Sequence, residues 1–281
     1  MRSRFGGGVL KIPVNAGFSC PNRDGSKSAE GCAFCDNRAF SPAYAGGLSP
    51  LQQVRGAIEK RGGKYKFFLP YLQPYSNTYA PLDKLKSVYE PLLSVEGVIG
   101  LAIGTRPDCF DDAVYEYLGD LNKRTYLSVE LGLQSGHDSI LKSMNRGHTV
   151  RDFIEAVISL DRRGIETAAH VILGFPGETE GMAARTAEML AGLPVRGVKI
   201  HQLMIIEGTP LARMYRSGGL REMTLEEYAN LLGKFISRLR PDQHIHRIMA
   251  DSRPEQGLIA PLWSAKKMES INYLKKRIFD R

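Results

Sequence analysis

Cysteine is scarce in this chain, at four residues in 281, and that scarcity excludes a disulfide framework. Long apolar runs are missing as well. No segment approaches the roughly 18 uninterrupted apolar residues of a membrane span, and the start MRSRFGGGVLK has no secretory-type apolar core behind its basic residues. There is no internal repeat, no low-complexity tract and no P-loop, and the glycines at 6–8 do not spell a dinucleotide fingerprint. The expectation is a cytoplasmic protein with no membrane contact. With 43% hydrophobic and 24% charged residues, it is long enough to bury a full core as one large domain.

Three of the four cysteines fall within sixteen positions of the stretch CPNRDGSKSAEGCAFCDNRAF, residues 20–40. In a reducing compartment, thiols clustered in this way ligate metal or do redox chemistry more often than they pair. Gly25 and Gly31 would let the loop wrap a bound group. A cubane iron-sulfur cluster held by Cys20, Cys32 and Cys35 would keep one iron open to substrate. Zinc is the rival, with Cys109 or a histidine as fourth ligand, and a lone C-x2-C serves both metals.

Six β-type runs alternate with helix-type segments: 9–15, 66–73, 98–105, 125–133, 166–175 and 198–205. The stretches between them carry apolar residues at spacings of three and four, several opened by Pro, Asp or Thr. That rhythm predicts βαβ crossovers and a parallel sheet, with runs such as VIGLAIG covered on both faces. Beyond residue 210 the sequence predicts a helix at 224–239 opened by a Thr224–Glu227 capping box, a strand at 244–251, and a helix at 264–278 burying Met268, Ile271, Leu274 and Ile278. Chemistry in parallel α/β folds gathers at the carboxyl ends of the strands. Here those ends hold the three cysteines, then Gln73, Ser76 and Asn77, then Thr105, Arg106 and Asp108. Glu130, Gln134, Asn145 and Arg146 follow, then His170 and the Gly-Phe-Pro-Gly turn at 174–177, and last Lys199 and His201.

The ordered motifs CPNRDG, GCAFCDN, QPYSNTYAP, GTRPDC, ELGLQS with NRGH, GFPGE, VKIHQL and LIAPLWSAKK resemble the radical S-adenosylmethionine (SAM) superfamily. More narrowly they resemble its YtqA/YhcC-type family, related to the radical SAM subunit of Elongator. The resemblance spans nearly the whole chain. It implies an α/β fold, a partial (β/α)6 TIM-like barrel over 1–210 with a short basic α/β extension at 211–281 packed on it. It also implies a [4Fe-4S] cluster on Cys20, Cys32 and Cys35, with SAM chelating the open iron. Eleven residues separate Cys20 from Cys32, where the superfamily usually has three, so the loop must bring Cys20 round. Gln134 and Arg146 would hold the SAM ribose and carboxylate, and Phe34 would lie near the adenine. Glu130 and His170 are further polar SAM contacts by the same resemblance, and Gln73, Ser76 and Asn77 stand where relatives contact the SAM amino group.

The chemistry implied is reductive cleavage of SAM to a 5′-deoxyadenosyl radical, fed by a donor such as flavodoxin or ferredoxin. One cysteine remains outside the cluster set, too few for an auxiliary cluster. The family resemblance points to tRNA modification at the wobble uridine, converting a carboxymethylaminomethyl group to aminomethyl. Residues 211–281 carry fourteen Lys/Arg against eight Asp/Glu, which suits a polyanionic partner. Arg238, Arg240, Lys266, Lys267, Lys275, Lys276 and Arg277 are the candidate phosphate contacts, and Trp263, Tyr71 and Tyr75 the candidate base platforms, although Trp263 in LIAPLW also reads as an apolar anchor. Two other readings stay open: a radical SAM enzyme of a metabolite or peptide, and a non-enzymatic zinc-stabilised RNA-binding protein.

Overall fold

The computed structural model describes residues 2–36 and 47–279, so the end of the cysteine stretch, 37–40, lies outside it. A short helix α1 (Arg2–Phe5) leads into β1 (Val9–Val14), α2 (Pro50–Arg61), β2 (Phe67–Leu72), α3 (Leu82–Leu93) and β3 (Gly100–Thr105). Next come α4 (Asp112–Arg124), β4 (Tyr126–Gln134), α5 (Asp138–Ser143), α6 (Val150–Asp161), β5 (Glu166–Leu173), α7 (Glu180–Ala191) and β6 (Gly197–Gln202). The C-terminal quarter adds β7 (Ile205–Ile206), α8 (Pro210–Arg216), α9 (Leu225–Ile236), β8 (His244–Arg247), β9 (Leu258–Ala260) and α10 (Lys267–Phe279).

The main sheet is parallel throughout, in the order β1-β2-β3-β4-β5-β6-β8. It is a curled half-barrel. Six strands were expected; the seventh, β8, comes from the C-terminal quarter and pairs with β6 through Gly197, Val198 and Lys199. β8 also ends at Arg247 rather than continuing to 251, because Arg247 turns back to donate to the Met249 carbonyl at 2.6 Å. β7 and β9 form a separate antiparallel pair.

Side chains on a strand alternate between faces, and the two faces of this sheet differ in kind. Ile12, Val14, Leu72, Leu101, Ile103, Leu127, Val129, Leu131, Leu133, Val171, Leu173, Val198 and Ile200 point outward and pack under the helices as one buried apolar core. The helices meet that core with apolar stripes, such as Leu85, Val88, Tyr89 and Leu92 of α3 and Phe153, Ala156, Val157 and Leu160 of α6. Their starts are fixed by side-chain caps: Asp111 for α4, Thr149 with Asp152 for α6, Thr179 for α7 and Thr224 with Glu227 for α9. On α10 Leu274 is fully buried with Ile271 and Ile278 beside it, but Met268 is 67% exposed, one turn beyond the contact with α9. No helix among the described residues is long and apolar enough to cross a membrane.

Candidate active site

The inward faces of the same strands carry Lys11 on β1, Tyr71 on β2, Gly104 on β3, Glu130 and Gly132 on β4, His170 and Ile172 on β5, and Lys199 and His201 on β6. Most of these side chains line one cavity of about 460 Å³, which also takes in Cys20, Cys32, Cys35, Phe34, Gln73, Ser76, Gln134 and Arg146.

The cysteine loop reaches this cavity because polar side chains staple it. Asn22 donates to the Asn145 carbonyl, while Asn145 donates back to the Gly31 carbonyl at 2.8 Å and to Ser28 Oγ at 3.1 Å. Lys27 bonds Asp108 at 2.5 Å and the Gly147 carbonyl at 3.0 Å, and Asp108 is in turn forked by buried Arg106 at 2.8 and 2.9 Å. The eleven-residue spacer is therefore tied to the loop after β3 and the loop after α5, and Cys20 lines the same cavity as Cys32 and Cys35. None of the four cysteines forms a disulfide. Gly147, at φ +71, has room only for hydrogen, since a Cβ there would lie 2.4 Å from Asn22 Oδ1.

Arg146 places Nη1 3.5 Å from Cys32 Sγ and donates from Nη2 to the Gly132 carbonyl at 3.0 Å. Its Nε is buried without a partner. Gln134 sits at φ +75 on a register shift between β4 and β5, a left-handed backbone unusual for a residue with a side chain. A Cβ on Gly132 would come within 2.7 Å of both Arg146 Nη2 and Gln134 Nε2, so the bare glycine makes the space in which those two side chains end. Burial, reinforced by Cys32, pushes the Cys35 thiol up to about 12, while Arg23 and Arg146 pull it down. Phe34 stacks obliquely on Phe175, with centroids 5.5 Å apart, and gives this end an apolar wall.

Deeper in the lumen four strands converge on Glu130, whose side chain is 1% exposed. Oε1 pairs with Lys11; Oε2 accepts from His170 Nε2 at 2.6 Å and from Lys199 at 3.1 Å. Burial opposes ionisation of Glu130, but Lys199, His170 and Lys11 outweigh it and hold the carboxyl well below its usual range. The same burial, with Lys199 nearby, brings His170 down to about 4. Lys199 is lowered to about 8 by burial, against the pull of Glu130. Tyr71 lies under both lysines, 4.0 Å from Lys11 and 4.8 Å from Lys199 to its ring centre.

Several expected roles change on this geometry. Both Glu130 oxygens are engaged inside the lumen, and His170 turns its Nε2 toward Glu130 while its ring still lines the cavity. Asn77 is a loop staple: its amide donates to the carbonyls of Leu72, Pro74 and Gly104. Tyr71 is buried, leaving half-exposed Tyr75 as a platform, and Trp263 is an anchor, donating to the Met223 carbonyl at 2.9 Å and packing on Tyr228. Arg240 is spent on the carbonyls of Leu193 and Val195 and on Asp242, and Arg238 pairs with Glu188. Cys109 is buried, its thiol pushed up to about 12 by burial and by Asp108.

Residues 20–190 match the Radical SAM superfamily, and residues 195–280 match the Radical SAM C-terminal domain. The chain belongs to the radical SAM superfamily. It is 36% identical over 288 residues to the uncharacterized protein YtqA of Bacillus subtilis, covering 100% of this chain and 88% of YtqA. A tRNA uridine(34) acetyltransferase of Methanocaldococcus infernus is 34% identical over 133 residues, 46% of this chain and 24% of that protein. The solved structure of Elp3 from the same archaeon, with an N-terminal deletion, superposes with a TM-score of 0.69 at 20% identity, over 96% of this chain and 63% of that one.

Members of the radical SAM superfamily use a [4Fe-4S] cluster and SAM. The donors in this cavity fit that pair: three thiols from one loop, and a buried arginine with an unpartnered Nε beside them. Among the described residues no group of three His, Cys, Asp or Glu side chains is placed to hold a metal ion. Sequence reasoning missed Asn22, Gly132 and Arg247, which line the cavity, and Lys11, which pairs with Glu130 from outside the lining. Lys11 had a signal, a charge at an inward position of the strand VLKIPV; Gly132 had none until its neighbours were placed.

Proposed function

We propose that this radical SAM protein reductively cleaves SAM to modify tRNA at the wobble uridine, converting carboxymethylaminomethyl to aminomethyl. The observation that carries the enzymatic part is the single cavity lined by Cys20, Cys32 and Cys35 together with Gln134 and Arg146. When bound, cluster and SAM supply homolysis of a sulfonium carbon–sulfur bond and abstraction of a substrate hydrogen atom. Cys20, Cys32 and Cys35 would hold the cluster as thiolates, with Arg146 Nη1 3.5 Å from Cys32 Sγ. The unpartnered Arg146 Nε, with Gln134 across Gly132, would orient SAM, the arginine suiting its carboxylate. Phe34 and Ile172 would exclude water from the cofactor.

An RNA substrate is supported by the relative named as a tRNA uridine(34) acetyltransferase and by the cations of α10. Lys275, Lys276 and Arg277 make no ion pair among the described residues, leaving them available to phosphate, whereas Lys266 and Lys267 pair with Glu269 and Asp251. The test is anaerobic reconstitution followed by reduction in the presence of SAM. Formation of 5′-deoxyadenosine supports the reaction class. Strong stimulation by tRNA bearing carboxymethylaminomethyluridine, with conversion to aminomethyluridine, supports the substrate; equal turnover with and without tRNA would overturn it in favour of a metabolite or peptide.

A further inference from the structure

The lumen holds more positive charge than its own carboxylates balance. Arg23, Arg106, Arg146, Lys199 and Arg247 line the cavity with only Glu130 and Asp251 as carboxylates; Lys199 pairs with Glu130 and Arg247 with Asp251, and Lys11 and Lys267, outside the lining, share the same two carboxylates. His170 claims Glu130 as well, so that carboxylate is fully engaged. Two residues after Lys199 on the same inward face of β6, His201 has its Nε2 shielded from solvent and without a partner. Lys199, His201, Arg247 and Gln256 all line the cavity. They gather at the β6–β8 edge, opposite in strand order to β1 and the cysteine loop that follows it.

We propose that this edge is a seat for a small oxyanion of the substrate, held by Lys199, His201 and Arg247. Surplus cations in a space of low dielectric, with a shielded imidazole nitrogen left unbonded, are stabilised by an incoming oxyanion that accepts from all three. Arg247 Nε is spent on the Met249 carbonyl and Nη2 on Asp251, which leaves Nη1 to donate to the anion. The seat draws on β6 and β8, whereas Arg146 meets Cys32 and Gly132 of β4, so the substrate's anion and that of SAM are given different cations. It deepens the tRNA reading and rests on it for the identity of the ligand: a carboxylate on the modified base and a phosphate of the RNA backbone share this chemistry.

The test is equilibrium dialysis of the reconstituted full chain against radiolabelled acetate and, separately, radiolabelled inorganic phosphate. Saturable one-site binding is expected, weakened about tenfold or more in Arg247→Gln and in His201→Phe, as losing a charge-assisted or buried hydrogen bond implies. Arg247→Lys should recover part of the affinity, and thermal melts would show which variants fold. Preference for acetate assigns the seat to a base carboxylate; preference for phosphate assigns it to the backbone. The proposal fails if neither anion binds saturably to the unaltered protein, if folded variants bind as well as it does, or if saturating SAM displaces the anion competitively. Anion binding without any tRNA-dependent 5′-deoxyadenosine formation would sink the tRNA reading and leave the seat standing; the converse result would sink the seat alone.

Discussion

The outer and inner faces of one sheet are built from the same strands, yet they obey different rules. On β4, Leu127, Val129, Leu131 and Leu133 face the helices and are at most 1% exposed, while Ser128, Glu130 and Gly132 between them face the lumen. The outer residues need only be apolar and of suitable volume, and neighbours can adjust to a change. The inner residues need specific partners, because a buried charge that loses its counter-charge cannot relax into water. Stability is therefore concentrated on one face and chemistry on the other, one residue apart.

Replacing Cys32 by Ser should give the largest functional effect with little structural one. Iron and sulfide content after reconstitution should fall to background and SAM cleavage should vanish, while the melting temperature of the apoprotein stays near that of the parent. Retained SAM cleavage would contradict the assignment of the cluster to these cysteines.

Glu130→Gln and Leu131→Ala set the two faces side by side at adjacent positions. Glu130→Gln leaves Lys11 and Lys199 without their buried counter-charge and should cost about 3–5 kcal/mol of unfolding free energy. Leu131→Ala opens a cavity under the helices and should cost about 2–5 kcal/mol. Denaturant unfolding measures both, but only Glu130→Gln should also alter anion binding in the lumen. Equal effects of the two on anion binding would erase the distinction between the faces.

The lumen should also give stability a pH dependence that the outer face cannot. His170, brought down to about 4 in the folded state mainly by burial and then by Lys199, is ordinarily near 6.5 when unfolded. Between those values the unfolded chain binds a proton that the folded chain refuses, so stability falls as pH drops from about 6.5 to 4 and the loss levels off below 4. Each such histidine contributes up to about 1.4 kcal/mol per pH unit in that window. His201, held well below its ordinary value by burial and Arg247, adds in the same sense. His170→Gln should shallow the slope of unfolding free energy between pH 6 and 4.5 by about one proton; an unchanged slope would mean that His170 is already protonated in the fold.

The outer face was legible in the sequence because its requirement is compositional. Apolar runs of six to nine residues separated by capped helices fix a parallel α/β architecture whichever side chains meet inside. The cysteines and the positions of Gln134, Arg146 and His170 at one mouth were legible too, because strand ends in such folds converge. Partners were not legible, since they come from strands far apart in sequence. Glu130 lies 119 residues from Lys11 and 69 from Lys199, and nothing local to Glu130 announces either. Arg240 and Asn77 look like free polar residues in sequence, yet they donate to backbone carbonyls of the loops around them.

The smallest expected effect on the fold lies farthest from both faces, on α10. Lys275 and Lys276 are exposed and unpaired among the described residues, so Lys275→Gln with Lys276→Gln should change unfolding free energy by less than about 0.5 kcal/mol. If those cations contact phosphate, each removed contact should flatten the dependence of log affinity for tRNA on log salt by about 0.7–0.9, so the double variant would lose roughly 1.5. Binding measured across a salt series separates this from general weakening, which shifts the line without changing its slope. An unchanged slope would move the RNA path off α10 and leave the lumen as the surface that reads the substrate.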